Sequence, residues 1–168
     1  MKTIFILSVL FLSSLTFYAQ DAESFFQQGE SLYAEEKFTE SIEAYTKAIA
    51  IDVEHLNSYL KRGFTYSRIE EYEKAIQDFS KVIEMKPEHS WAFISRGSAY
   101  NKTKKYDLAI NDFNKVLQLD PNNQEAYNNR GWAKKFSGNK SGACEDWKQS
   151  KKLGNDEAKI ILKNNQCK

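Results

Sequence analysis

Tyr59-Leu60-Lys61-Arg62-Gly63-Phe64-Thr65-Tyr66 returns further along the chain as Phe93-Ile94-Ser95-Arg96-Gly97-Ser98-Ala99-Tyr100, and that return decides how the sequence is read. Gly29, Gly63, Gly97 and Gly131 recur at one constant step of 34. Four positions before them stand Phe25, Tyr59, Phe93 and Tyr127. Further on come Ser41, Ala75, Ala109 and Ala143, then Tyr45, Phe79, Phe113 and Trp147. A fixed period kept at several positions marks a repeat array, each copy being one supersecondary unit.

Each copy reads as two helices. Tyr59, Arg62, Gly63 and Tyr66 fall at i, i+3, i+4 and i+7, one face of a 3.6-residue period. After a polar break at Glu70-Glu71, the residues Tyr72, Ala75, Ile76, Phe79, Val82 and Ile83 repeat that spacing. Pro87 and Pro121 then end their copies, because proline cannot continue a helix. Small residues such as Gly63 and Ala75 let two antiparallel helices approach, and the aromatics fill the space around them.

These residues resemble the tetratricopeptide repeat pattern: the Tyr59–Tyr66 stretch, Ala75-Ile76-Gln77-Asp78-Phe79 and Pro87, then Phe93, Arg96, Gly97, Tyr100, Ala109, Phe113 and Pro121. The resemblance spans roughly 22–154. It implies an all-α fold, a right-handed superhelical solenoid of about four helix–turn–helix repeats, with boundaries at 22–55, 56–89, 90–123 and 124–154. The first and fourth copies diverge, with Leu32, Ser41 and Val53 in one and Lys134 and Asn155 in the other. Terminal repeats are expected to be atypical because one face meets water. Residues 155–168 read as a capping helix, opened by Asn155-Asp156-Glu157 and striped by Ala158, Ile161 and Leu162.

The 168 residues carry 24 Lys and Arg against 23 Asp and Glu, with a mean hydropathy of −0.64. With no basic excess there is no footprint for a nucleic-acid backbone. Residues 1–19 differ in kind: Lys2, then an apolar run from Ile4 to Phe17, then Ala19-Gln20. That run is short of the ~20 residues a spanning helix needs. It is expected to be a signal peptide, which sends the mature chain to the periplasm or outside the cell without membrane insertion. The alternative is an anchor that stays uncleaved.

Arg62, Arg96 and Arg130 precede the glycines where family members often carry Leu, and a constant step of 16 leads from them to Asp78, Asp112 and Asp146. The first copy lacks both partners, with Gln28 and Ala44 in their places. Such joint appearance suggests structural ion pairs between the two helices of a repeat, since a buried arginine needs a carboxylate. A basic strip for an anionic ligand is the alternative.

By the family resemblance, first helices line a concave groove. Its expected contact residues include Phe26, Glu30, Leu60, Phe64, Trp91, Ile94, Asn101, Asn128 and Trp132, with Phe26, Leu60 and Ile94 in an apolar row. Burial of some of these by neighbouring first helices, Leu60 and Ile94 before Trp91 and Trp132, is the competing reading. The family's lysine–asparagine–arginine clamp for a terminal carboxylate is not matched, because Phe26 and Glu30 stand at two of its places.

Cys144 and Cys167 form an even pair, expected to be a disulfide in an oxidising compartment. The alternative is a buried Cys144, like Ile42, Ile76 and Ile110 at equivalent positions. His55 and His89 lie one repeat apart, too distant to share a metal and better read as loop residues. No phosphate loop, HExxH or nucleophile elbow occurs. The sequence therefore points to a non-enzymatic module with no cofactor or metal that binds a protein or peptide partner. A self-associating structural subunit, using the groove as a homo-oligomer interface, is the competing reading.

Overall fold

The computed structural model describes residues 22–165 and Cys167. The proposed signal peptide, residues 1–19, lies outside them. The described residues are helices joined by short turns, without strands, and they divide into two compact units at Glu71 and Tyr72. None of these helices is long and apolar enough to cross a membrane.

Unit 1 holds α1 (22–34), α2 (Phe38–Ile51) and α3 (Leu56–Arg68). Gly29 lies against the Tyr45 ring: a Cβ there would come within 2.5 Å of it. Glycine is thus the residue that lets α1 approach α2, and Phe26, Tyr45 and Ala48 close the core beside it. Ser41, standing where other copies have Ala, donates its hydroxyl to the Gly29 carbonyl at 2.9 Å.

Unit 2 holds α4 (Tyr72–Met85), α5 (Ser90–Lys102), α6 (Tyr106–Leu119), α7 (Gln124–Phe136), α8 (Lys140–Lys152) and α9 (Asp156–Asn164). Consecutive helices pack on each other, and α5 also lies beside α7. Gly97 faces Phe113 and Gly131 faces Trp147, repeating the glycine–aromatic contact of unit 1. Phe79, Phe113 and Trp147 are fully buried. In the last hairpin the Trp147 indole also donates to the Asn128 carbonyl at 3.2 Å. α9 buries Ala158 and packs Ile161 with Trp147 and Ala143, and the Cys144–Cys167 disulfide ties its far end back to α8.

Helix boundaries repeat as faithfully as the core. Glu36, Glu70, Lys104 and Gly138 share one position of the repeat, and all have φ between 59° and 97°. The residue after each donates its N–H to a carbonyl five positions back, as in Lys105 to Tyr100 at 2.8 Å and Asn139 to Lys134 at 2.8 Å. That bond and the left-handed residue together form a Schellman ending, and glycine fills the position only in the fourth copy. At the opposite ends of the hairpins, His55, His89, Asn123 and Asn155 cap α3, α5, α7 and α9, each accepting an N–H from three positions on. The two histidines are therefore helix caps rather than plain loop residues.

Candidate functional site

The arginine series fixes how neighbouring helices meet. Arg96 Nε and Nη2 donate to Asp112 at 2.8 and 2.7 Å, and Arg130 does the same to Asp146 at 2.8 and 2.6 Å. Each bond pair is bidentate across a hairpin, the strongest geometry available to these groups. Burial pushes the Asp112 carboxyl upward while the Arg96 bonds oppose it, and the same bonds push the Arg96 guanidinium up. Lys134 adds a second cation at 2.9 Å from Asp146.

A further partner was missed by the sequence reading. Nη1 of Arg62, Arg96 and Arg130 donates to Thr46, Ser80 and Asn114, at 3.0, 3.0 and 2.6 Å. These three lie on the second helix of the preceding copy, one step of 16 before their arginines. Thr46, Ser80 and Asn114 themselves recur at the repeat period, which was the available signal. Arg96 and Arg130 thus bond both forward and backward along the array. Both guanidinium groups are held from two sides by the chain itself. Asp78, the remaining carboxylate of the series, is buried.

The expected groove residues divide sharply. Phe26, Ile94 and Asn128 share one register, and all three are buried, at 8, 4 and 7% exposure. Ile94 belongs to a core cluster with Phe93, Val116 and Ala126, and the Phe26 and His55 ring centres lie 5.3 Å apart. These three positions therefore offer little side chain to a ligand. Leu60, of the same register, and Phe64 are half-buried on α3. Glu30 is held by the Tyr45 hydroxyl and by Lys61 at 2.5 Å, so it serves α1–α2–α3 packing. Burial and the Glu30 contact push the Tyr45 phenol well above its usual range.

What stays open lies on α5 and α7 of unit 2. Ser98, Asn101 and Lys102 from one helix and Asn129, Trp132 and Phe136 from the other line a cavity of about 330 Å³. Trp132 stacks on Phe136 at 5.8 Å, and Phe136 on Tyr106 at 5.7 Å. The indole of Trp132 also meets Trp147 edge-on at 5.1 Å, which anchors the shelf to the core. Lys135 Nζ sits 4.9 Å from the Trp132 ring centre, within cation–π range. Phe136, unremarked in the sequence reading, is 55% exposed, and Trp91 at the start of α5 is 62% exposed. Asn101 donates its amide to the Asn129 carbonyl at 3.2 Å, while its Oδ1 and that of Asn128 have no protein partner. Such a face suits a ligand that supplies an apolar side chain and polar main-chain groups. Among the described residues no His, Cys, Asp and Glu cluster could hold a metal ion.

Antiparallel helix pairs at a fixed step, closed by glycine–aromatic contacts, define an all-helical repeat protein of the protein-interaction class. Tetratricopeptide repeat profiles match residues 22–55, 56–89 and 90–123, more than half of the sequence, and the chain belongs to the tetratricopeptide repeat family. Proteins of this family are in general non-catalytic interaction modules. A crystal structure of MamA is similar at 22% identity and a TM-score of 0.76, over 83% of this chain and 81% of that one. MamA 41-end from Desulfovibrio magneticus RS-1 is similar at 20% identity and 0.76, covering 81% and 78%. The first tetratricopeptide domain of Spaghetti (RPAP3), bound to the HSP90 peptide SRMEEVD, shares 28% identity at 0.65, covering 71% and 92%. No curated protein sequence matches this chain.

Proposed function

We propose that the chain is a non-enzymatic adaptor of the cell envelope or secreted space, holding a peptide segment or partner protein on the α5–α7 face. The observation that carries this reading is the aromatic shelf of Trp132 and Phe136 beside the cavity lined by Asn101 and Asn129. A preformed apolar shelf costs little ordering on binding, so an incoming side chain keeps most of its transfer free energy. Export is supported by the apolar run at 4–17, and the disulfide fits an oxidising compartment.

The test selects peptide ligands from a displayed library on the mature chain, then compares Trp91→Ala with Phe136→Ala. Both side chains are exposed, so neither substitution opens the core. Phe136→Ala should weaken binding of selected peptides about tenfold or more, the usual weight of an aromatic anchor. Peptides held equally by both variants and the parent would refute the α5–α7 assignment.

A further inference from the structure

Charge is graded along the repeats, although the total is close to zero. Segment 22–55 holds eight acidic residues against Lys37 and Lys47 alone. Segment 56–89 is balanced at six each, and 90–123 carries five basic residues against three acidic. Segment 124–154 has seven against three, and 155–168 adds three against two. The acidic excess thus falls on α1 and α2, and the basic excess on α7, α8 and α9.

The basic end has a definite surface. Lys151, Lys152 and Lys163 are exposed, and with Lys148 they ring Leu162 and the disulfide around an open cavity of about 460 Å³. Ile160, on the same helix, is 62% exposed. At the acidic end Glu36, Glu40 and Glu43 of the α1–α2 hairpin are exposed, and Leu32 and Ile42 of the same hairpin are half-buried. We propose that the α8–α9 surface of one copy docks on the α1–α2 surface of a second copy, head to tail. A second copy fits better than an anionic membrane, because every chain brings the complementary charge with it. The contact joins two different surfaces of the chain, so the assembled fraction rises with concentration. The inference is independent of the α5–α7 reading, since it uses other helices.

Sedimentation velocity on the mature chain tests it, run at about 10 mM salt and again at about 1 M, where the screening length falls from roughly 30 to 3 Å. Concentration-dependent species above the mass of one mature chain are expected at low salt and should vanish at high salt. A triple variant Lys151→Glu, Lys152→Glu, Lys163→Glu should be monomeric, as should Glu36→Lys, Glu40→Lys, Glu43→Lys. An equimolar mixture of the two should associate again, which a misfolded variant could not do. A parent monomeric at every concentration, or association indifferent to salt and to both triple variants, would overturn the proposal. So would lysine-dependent binding to phosphatidylglycerol vesicles by a chain that never self-associates.

Discussion

Arg96 reaches Asp112 ahead of it and Ser80 behind it, so one side chain links three helices of unit 2. Its guanidinium also lies over Phe93 and Tyr100, at 5.6 and 5.8 Å. Removing the carboxylate alone leaves that cation largely buried without its main partner. Asp112→Ala should therefore lose about 3 kcal/mol in denaturant unfolding, well beyond a surface pair. The first repeat supplies the control, because Gln28 and Ala44 occupy the same two places without any charge. Arg96→Gln with Asp112→Ala should be more stable than Asp112→Ala alone; a double variant no better than the single would remove the ion pair from the account. The arginine–aspartate pairing was legible in the sequence because both members vanish together from the first copy. The backward bond to Ser80 was not, since small polar residues recur on helix surfaces for many reasons.

At the scale of the helix, two boundary devices repeat and each makes a prediction. Lys104 holds a φ of 62° that costs an L-residue about 1 kcal/mol, and Gly138 occupies the same position in the next copy. Lys104→Gly should raise stability by a few tenths to about 1 kcal/mol, the relief being partly offset by glycine's greater unfolded-state entropy. His89 caps α5 by accepting the Ala92 N–H at Nδ1, which requires an unprotonated nitrogen. Burial lowers its pKa, with Lys86 acting in the same direction. The stability this contributes is present above the unfolded value of about 6.5 and is lost as pH falls through the depressed folded one. His89→Asn keeps a cap, as Asn123 does at 2.9 Å, and should flatten the loss between about pH 7 and 5 seen in denaturation midpoints. Equal pH slopes in parent and variant would contradict the cap. Periodicity located the helices themselves, because apolar spacing follows burial. The left-handed turn residues escaped notice, as Glu36, Glu70 and Lys104 carry no glycine to announce them.

Across the molecule, stability in a repeat array is carried by neighbouring contacts, so a crosslink at one end acts mainly there. Reducing the Cys144–Cys167 disulfide, which bridges a sequence separation of 23, should cost about 3 kcal/mol in the chain-entropy view. Hydrogen exchange should accelerate in α9 while α5 and α6 keep their protection; uniform loss of protection would argue against that local role. The helical repeat, its step and the capping helix could all be read from the sequence. The exposure of the expected groove residues could be read only in part, because register alone does not tell whether a first-helix residue meets solvent or the rest of the chain. Ile94 and Asn128 turn inward for that reason, while Phe136, outside the expected set, turns outward. The central claim is that α5 and α7 present the binding face. Its most direct measurement is amide and indole chemical-shift mapping of the 15N-labelled chain as a selected peptide is titrated in. Shifts should concentrate at Ser98, Asn101, Lys102, Asn129, Phe136 and the Trp132 indole; shifts confined to α6, α8 or α9 would contradict it.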